Sequence, residues 1–418
     1  MKKKINRVLI MIILLIFIGF NSSAKVYATE ELSVNAKASI IVETNSGKII
    51  HENNAEVQNY PASVTKILTA ILVIENCKLD DVATVSQSAI SHIPQGYVVA
   101  PLVVGEKMTV EELLYALMLK SANDAAYVLA EHVGGSVEGF SNMMNKKAEE
   151  LGCKNSHFVN PNGIHNSNHY STAYDMYLIS KYAMENEKFV KIVSTYQHTL
   201  PVTNKYIKND RIMKNTNLFV NPNSKYYDKN IKGIKTGTTL QAGNCLITNI
   251  NKDGFDVITV VLGAQTKDSK FSETSKMIKY TFDNYTYTKL HKKDDVIKNI
   301  EVEKATKETK NLNLVISDDI TTMNNINIDV KQIEPEITLN EEIVAPIYKG
   351  QELGTIKYTV DGLEYNAKLL AENDVIKKTY YVEILIGTGA LLVIVGVIVI
   401  VKKSARKKRA KYTFSNKK

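Results

Sequence analysis

The stretch Tyr60-Pro-Ala-Ser-Val-Thr-Lys-Ile-Leu-Thr-Ala70 decides the fold and indicates a chemistry. Ser63 follows Pro-Ala and is predicted to open a helix whose apolar face holds Ile67, Leu68, Ile71 and Leu72. Lys66, three positions on, lies on the same side of that helix as Ser63. A serine hydroxyl is a weak nucleophile until a base removes its proton, and lysine is a base only when neutral. Burial and a neighbouring cation must therefore lower the lysine pKa from its usual value of about 10.4.

Two further motifs follow along the chain, Ser121-Ala-Asn123 and Lys235-Thr-Gly-Thr238. The patterns S-x-x-K and S-x-N arise easily by chance, and the chain repeats them at 415–418 and 33–35. K-T-G is rarer and is expected roughly 0.1 times in such a chain. The three motifs fall at a predicted helix start, a helix–helix turn and the start of a strand pair. Each alone is explained by a helix cap or a solvated charge, but together they favour a nucleophilic active site.

These residues indicate how such a site would handle charge and protons. Lys235 can supply the cation that lowers the pKa of Lys66. Backbone N–H groups at Ser63, on the helix, and at Thr238, on the strand, can bind a developing oxyanion. Ser121 can pass a proton from Lys66 to a leaving amine. The predicted catalytic residues are therefore Ser63, Lys66 and Ser121.

The same motifs provide candidate substrate contacts. Asn123 can bind a substrate amide. Lys235, Thr236 and Thr238 can bind a terminal carboxylate. Gly237 lets a substrate backbone lie close to the strand, because glycine carries no Cβ. These side chains predict a peptide substrate with a free carboxyl end.

Periodicity predicts an α+β domain over residues 29–290 and a small all-β domain after it. In the first domain a hairpin at 38–51 precedes several helices, and strands return at 244–249 and 255–262. The charged stretch 291–310 is predicted to be a linker or a domain edge within the segment 291–375. The strands predicted beyond it are 313–316, 336–339, 342–345, 354–360 and 365–370.

Residues 1–28 have the order of a secretory signal peptide. Basic residues come first, an apolar run follows at 8–20, and small residues surround the plausible cleavage points Ala24 and Ala28. An uncleaved anchor helix is the alternative, although such a run is short for a membrane span. The prediction is an exported protein.

A second apolar run, at 382–401, has the length of a bilayer core and predicts a transmembrane helix over residues 380–401. The basic tail 402–418 follows it. A buried core helix is the alternative, which the flanking cations disfavour. Because positive residues mark the cytoplasmic side, the tail is predicted inside and residues 29–379 outside. The prediction is a single-pass protein of the cell membrane.

The composition excludes several classes of protein. The chain has 418 residues, 44% hydrophobic and 23% charged, as in globular domains. Five N-terminal and nine C-terminal cations leave 38 of the 52 cations against 44 acids between them, so we predict no nucleic-acid partner. Three widely spaced cysteines and no H-E-x-x-H pattern predict no metal and no cofactor. His165 and His169 stand four apart but fall in a predicted loop.

The sequence around the three motifs resembles the low-molecular-mass D-alanyl-D-alanine carboxypeptidases, which are penicillin-binding serine peptidases. The resemblance covers about residues 34–375. It rests on Tyr60–Ala70, Ser121-Ala-Asn-Asp-Ala125, Asn160-Pro-Asn-Gly163, His169–Met176, Lys235-Thr-Gly-Thr-Thr239, Ala242-Gly243, Lys349–Gly354 and Asp361-Gly362. It implies a β-lactamase/transpeptidase-like domain, with an antiparallel sheet flanked by helices, followed by a β-sandwich.

The resemblance also implies an activity. The enzyme would remove the terminal D-alanine from the pentapeptide stem of peptidoglycan through an acyl-enzyme on Ser63, in cell wall biogenesis and the control of cell shape. β-Lactam antibiotics would acylate the same serine. At Lys270 the family often has an arginine that holds the substrate carboxylate, and lysine lacks its two-pronged guanidinium. Lys270 is predicted to bind substrate with this different geometry.

Two alternatives stay open at this point. A class A β-lactamase would carry a Glu-x-x-Leu-Asn motif for deacylation, and residues 124–234 contain none. A membrane-anchored penicillin sensor or wall-binding module would be acylated without turnover. Such a sensor needs a signalling domain inside the cell, and the 17 residues after Val401 are too few for one.

Overall fold

The computed structural model describes residues 32–379 and 381–415 of the chain. The predicted signal peptide, 1–28, lies outside the described residues. The described chain divides into two compact units. The first comprises residues 32–286 with Asn325–Asn327, and the second comprises 287–324 and 328–415. Each unit is considered by itself below.

The first unit contains a five-stranded antiparallel sheet in the order β2-β1-β9-β8-β7. Its strands are β1 (Ala38–Glu43), β2 (Ile49–Asn53), β7 (Ile231–Thr239), β8 (Gly243–Lys252) and β9 (Phe255–Ala264). Two small two-stranded sheets accompany it, one formed by β3 (Val82–Thr84) with β4 (Lys107–Thr109) and the other by β5 (Gln197–Thr199) with β6 (Ile212–Lys214). Strand β7, which carries the third motif, has a strand partner on one side only within this sheet.

Helices cover the sheet of the first unit. They are α1 (Lys66–Asn76), α2 (Gln87–Ser91), α3 (Val110–Tyr115), α4 (Asn123–Gly134), α5 (Val137–Glu150), α6 (Ala173–Met184), α7 (Glu187–Ser194) and α8 (Ser269–Asn284). The sequence predicts one apolar face for α1, but residues 66–74 are all buried. The reason is that α4, α5 and α6 pack around it, so no face of α1 is left to solvent along that stretch. This burial includes Lys66.

The second unit is an all-β domain followed by a long helix. A five-stranded sheet has the order β11-β12-β16-β15-β14, and β10 pairs with β13. The strands are β10 (Tyr285–His291), β11 (Val296–Glu301), β12 (Asn311–Ile316), β13 (Ile320–Asn325), β14 (Glu336–Leu339), β15 (Glu352–Val360) and β16 (Leu363–Ala371). Alternate residues, among them Leu312, Leu314, Ile356, Tyr358 and Val360, build its core.

Two local predictions for this domain have different outcomes. Of the two alternatives for 291–310, linker or domain edge, the structure agrees with the edge, because Val296–Glu301 pairs with β12 as an edge strand. Its charged side chains are exposed, and this pattern hid the strand in the sequence. Residues 342–345 form no strand, and Val344 makes only an isolated bridge to Glu303.

The C-terminal helix, α9 (Tyr381–Ser415), is long and apolar. Its segment Leu385–Lys408 has the length and composition to cross a membrane, and none of its apolar window is buried by protein. At 1.5 Å per residue these 24 residues span about 36 Å. The helix continues past residue 401, so most of the predicted basic tail is helical.

Candidate active site

Ser63 lies in a tight turn held by unusual backbone geometry. A 3-10 turn, Ala62–Thr65, precedes α1, so Ser63 sits one turn before the α-helix that it is predicted to open. Ala62 has a φ of 51°, a left-handed conformation that is costly for a residue with a side chain. Gly163 packs against this turn, and a Cβ there would lie 1.8 Å from the Ala62 carbonyl oxygen. The absence of a side chain at Gly163 therefore leaves room for the turn that carries Ser63.

Lys66 is fully buried directly beside Ser63. Its Nζ lies 3.1 Å from Ser63 Oγ, 3.0 Å from Asn123 Oδ1 and 2.8 Å from the Asn162 carbonyl oxygen. An uncharged amine has two N–H groups and one lone pair. Because the Asn123 and Asn162 oxygens can only accept, they take both N–H groups of the neutral amine. The lone pair is then left for the hydroxyl proton of Ser63.

The surroundings of Lys66 favour this neutral form. Burial is the main cause that lowers its pKa well below the ordinary value, and the nearby Lys235 cation lowers it further, while Asp124 opposes both. Lys235 is itself buried, and burial with the charge of Lys270 lowers its pKa to about 7. Burial and Lys267 lower the pKa of Lys270 to about 8. Three lysines thus share a region where desolvation disfavours charge.

A π-helical turn positions the second motif. Residues 116–120 form this turn after α3, and Ser121 follows with a φ of 65°. This left-handed residue reverses the chain into α4, which begins at Asn123. The side chain of Asn123 is held at both ends, since its Oδ1 accepts from Lys66 and its Nδ2 donates to the Val98 carbonyl oxygen at 2.9 Å. The predicted contact of Asn123 with a substrate amide requires it to exchange one of these bonds.

The third motif lies on β7 beside the Ser63 turn. A Cβ added to Gly237 would lie 3.0 Å from the Ser63 nitrogen, so Gly237 accommodates this turn as well as leaving room for a substrate backbone. Thr236 Oγ1 lies 2.6 Å from Thr216 Oγ1. Thr238 Oγ1 donates to Asn244 Oδ1 at 3.1 Å, and its side chain is exposed. The strand therefore offers hydroxyl groups and an open edge to a ligand.

A cleft of about 850 Å³ joins the three motifs. Seven of the nine predicted site residues line it: Ser63, Ser121, Asn123, Thr236, Gly237, Thr238 and Lys270. The other two, Lys66 and Lys235, are buried beneath its surface. All nine therefore lie in one region of the first unit.

Sequence reasoning missed two residues that organise this cleft. The Asn162 backbone supplies an acceptor to Lys66, and its only signal was the Asn160–Gly163 stretch of the resemblance. Asp124 is buried, and its carboxylate accepts from the N–H groups of Ala100 and Leu102 at 2.9 and 3.1 Å. Burial raises the pKa of Asp124 although these bonds favour the ionised form. Asp124 thus fixes the loop that carries Val98.

The histidines of the predicted loop have structural contacts. His169 Nε2 lies 2.9 Å from Thr65 Oγ1, and its Nδ1 accepts from the Val159 N–H. Burial, with the nearby charges of other basic groups, lowers the pKa of His169 to about 3. Among the described residues, one group could hold a metal ion: Cys77, Asp81 and His132, whose ligand atoms lie within 4.8 Å of one another. It lies where α1 ends, about 16 Å along that helix from Lys66.

Comparison with known proteins identifies the family. Residues 25–266 match the family described as D-alanyl-D-alanine carboxypeptidase, and residues 285–377 match the penicillin-binding protein 5 C-terminal domain. The chain belongs to the D-alanyl-D-alanine carboxypeptidase family. This result confirms the resemblance seen in the sequence.

Individual relatives extend over most of the chain. The D-alanyl-D-alanine carboxypeptidase DacF of Bacillus subtilis is 34% identical over 90% of this chain and 94% of its own length. The solved structure of penicillin-binding protein 5 from Haemophilus influenzae is 27% identical, with a TM-score of 0.63, over 82% of this chain and 98% of that one. The Streptomyces K15 DD-transpeptidase is 31% identical, with a TM-score of 0.57, over 60% of this chain and 99% of that one. These relatives confirm the predicted fold class, including the all-β domain.

Proposed function

We propose that the chain is a serine-type D-Ala-D-Ala carboxypeptidase that removes the terminal D-alanine from peptidoglycan stem peptides. The observation that carries the proposal is the position of Lys66 Nζ, 3.1 Å from Ser63 Oγ, with two acceptors occupying the amine N–H groups. Family membership supplies the substrate class. The same arrangement accounts for acylation by β-lactams, whose ring carbonyl takes the place of the peptide carbonyl.

Acylation starts when neutral Lys66 removes the proton of Ser63 Oγ. The oxygen then attacks the carbonyl carbon of the penultimate D-alanine. Backbone N–H groups of Ser63 and Thr238 are the proposed oxyanion donors, because Gly237 brings the strand against the serine turn. The C–N bond breaks, and the leaving D-alanine amine takes up the proton held by Lys66. Ser121, which lines the cleft, is the proposed relay for that proton.

Deacylation returns the enzyme to its starting state. A water molecule loses a proton to Lys66 and attacks the ester carbonyl of the acyl-enzyme. The ester C–O bond breaks, Ser63 Oγ regains the proton, and the shortened stem leaves as a carboxylic acid. One water is consumed and one D-alanine is released in each cycle. Thr236, Lys235 and Lys270 are proposed to bind the carboxylate of the substrate, since they combine a hydroxyl group with the cations of this region.

The test uses the full chain in detergent micelles. It should release free D-alanine from an acyl peptide ending in D-Ala-D-Ala, and it should be labelled by a fluorescent penicillin. Ser63→Ala should lose both activities, because the variant lacks the nucleophilic hydroxyl group. A Ser415→Ala variant, which alters the chance S-x-x-K match, is the matched control and should keep both. Labelling of Ser63→Ala at the wild-type rate would refute the assignment.

The same assay separates the alternatives. A sensor or wall-binding module would be labelled by penicillin but would release no D-alanine from the peptide. A class A β-lactamase would hydrolyse penicillin rapidly and lose its label within seconds. The carboxypeptidase should release D-alanine and stay labelled for longer than its own peptide turnover time.

We further propose that residues 1–28 act as a secretory signal and that α9 anchors the enzyme with residues 29–379 outside the cytoplasm. The length and apolar composition of Leu385–Lys408 support the anchor, and the basic segment after it supports the orientation. Protease added to intact protoplasts should digest the first unit and leave a tag fused after Lys418 protected. Digestion of the tag in unbroken cells would reverse the proposed orientation.

A further inference from the structure

A thiol, a carboxylate and an imidazole meet at the end of α1 that is farther from the active site. They belong to Cys77, Asp81 and His132, whose potential ligand atoms all lie within 4.8 Å of one another. Cys77 caps the C-terminal end of α1, Asp81 follows the next turn, and His132 lies in the last turn of α4. The spacing of the cysteines alone predicts no metal, but the fold gives Cys77 partners of other residue types.

The turn that carries Asp81 is held in place by hydrogen bonds of its own. The Lys78 N–H donates to Asp81 Oδ2 at 2.8 Å, and the Asp81 carbonyl oxygen accepts from the Val110 N–H at 2.9 Å. An ionised carboxylate offers about four lone-pair sites, so it can accept this bond and still bind a cation. Burial, with the nearby charge of Asp81, raises the pKa of the Cys77 thiol. A cation between the two groups would offset this repulsion.

Solvent reaches this end of α1. Cys77 is partly exposed and borders a cavity of about 450 Å³. Two acids, Asp80 and Glu111, and two lysines, Lys78 and Lys188, also line the cavity. The four charges balance, so a hydrated cation can approach Cys77 without meeting an excess of positive charge.

The three donor groups match the ligand preferences of Zn²⁺. This ion binds thiolate sulfur, imidazole nitrogen and carboxylate oxygen in a tetrahedral arrangement, and water can occupy the fourth position. Donor atoms in such a site are about 3.5 Å apart, so the group must contract by about 1 Å or less. Because His132 is exposed, rotation of its side chain can supply this adjustment.

We propose that Cys77, Asp81 and His132 bind one Zn²⁺ ion, with water as the fourth ligand, and that the ion joins the C-terminal ends of α1 and α4. On binding, the thiol proton is released to solvent and the thiolate sulfur takes its place on the metal. This site lies outside the catalytic cleft and does not rest on the proposed function.

The two helices that the ion would join meet again at the active site. Helix α1 begins at Lys66 and α4 at Asn123, and Lys66 Nζ donates to Asn123 Oδ1 at 3.0 Å. Along the helix axes, Cys77 lies about 16 Å beyond Lys66 and His132 about 14 Å beyond Asn123. The similar lengths indicate that the helices run side by side in the same direction. The ion would therefore stabilise, from its far end, the helix pair that presents the catalytic base.

The test titrates the metal-free full chain in detergent micelles with Co²⁺, which replaces Zn²⁺ in such sites and reports its ligands by absorption. One Co²⁺ per chain should bind with an intense thiolate-to-metal charge-transfer band, which Zn²⁺ should abolish. Cys77→Ser should lose the band. Asp81→Asn and His132→Asn should each weaken Co²⁺ binding at least about tenfold. The matched controls are Cys153→Ser, at another partly exposed thiol, and Asp80→Asn, next to the site, and both should bind Co²⁺ as the wild type does.

Zn²⁺ should also raise the melting temperature. At a concentration about 100 times its dissociation constant, the rise should be about 5 °C in the wild type and absent in Cys77→Ser. Cooperative melting of each metal-free variant checks that it is folded.

Each outcome decides the inference. A charge-transfer band that persists in Cys77→Ser, or Co²⁺ binding without such a band, would place the metal elsewhere and overturn the site. Equal weakening by Asp80→Asn and Asp81→Asn would indicate general attraction by negative charge and not coordination. A wild-type chain that releases D-alanine but binds no Co²⁺ would overturn the metal site and leave the proposed function intact.

Discussion

The lysines of the cleft and those of the all-β domain are the same residue type in opposite surroundings. Lys66 and Lys235 are buried without a carboxylate at hydrogen-bond distance, and burial lowers the pKa of each. Lys357 and Lys368 are surface residues that form ion pairs with Glu336 and Glu352 at 2.8 and 2.6 Å. Those hydrogen-bonded carboxylates raise the pKa of both surface lysines.

This difference separates lysines that can take part in catalysis from lysines that are solvated charges at the surface. A surface lysine with a glutamate partner stays charged at every physiological pH and contributes little to stability. A buried lysine without such a partner is costly to keep charged, so it tends to be neutral and can act as a base. The contrast also explains why net charge says nothing about the active site of this protein.

The largest expected effect comes from removing the base. Lys66→Met keeps a long unbranched side chain but has no lone pair to accept the Ser63 proton. Acylation by a fluorescent penicillin, followed as a time course of labelling, should slow by about 10² to 10⁴-fold. Lys357→Met removes a lysine of the other class and should label at the wild-type rate. If Lys66→Met is labelled at the wild-type rate, another group must deprotonate Ser63.

Lys235 should link stability to pH. Its pKa is about 7 in the folded protein against an ordinary value of 10.5, so the unfolded chain binds more protons between these limits. The penalty of burying the cation is greatest below pH 7 and disappears as the pH rises to 10.5. Lys235→Met should therefore raise the melting temperature by about 5 °C at pH 6 and by less at pH 9.

The control for this experiment is Lys368→Met in the all-β domain. Its partner Glu352 is also on the surface, so the melting temperature should change by about 1 °C or less at either pH. A gain of the same size at pH 6 and pH 9 in Lys235→Met would contradict the linkage. It would indicate that better packing, and not the removal of a buried charge, is the cause.

The sequence predicted those features that depend on local pattern. The long apolar strands β8 and β9 and the helix after Ser63 follow from periodicity, and the three motifs follow from spacing. It did not predict the edge strand Val296–Glu301, because its outward charges resemble those of a linker. Nor did it predict that α1 is buried on every side, because a hydrophobic face in sequence does not reveal how many elements pack around a helix.

Part of the site could not be predicted from the sequence either. The acceptor that Asn162 provides to Lys66 is a backbone carbonyl group, which any residue carries. The sequence predicted Asn123 as a substrate ligand, since a polar side chain beside a nucleophile fits that role. The sequence did not reveal that its amide is also held by Lys66 and by the Val98 carbonyl oxygen. Such contacts join residues far apart in the chain, and only the fold brings them together.

The smallest expected effect concerns Lys270, which is partway between the two classes of lysine. It lines the cleft, and burial with Lys267 lowers its pKa to about 8. Its charge, and with it the attraction for a substrate carboxylate, should therefore fade as the pH rises through 8. Arginine stays charged at every pH of interest, and its guanidinium group can donate two hydrogen bonds to a carboxylate. Between pH 7 and pH 9.5, the ratio of kcat/KM for Lys270→Arg over wild type should rise about threefold.

A substrate without the carboxylate isolates this effect. An ester of the same peptide, blocked at its carboxyl end, should show no such rise, because the charge of residue 270 then has no anion to attract. The same rise with the blocked peptide would assign the pH dependence to another group. A ratio that is constant with pH for the free acid would mean that Lys270 does not bind the carboxylate. Lys235 would then be the cation that binds the carboxylate. The lysines of the cleft would differ only in how deeply they are buried.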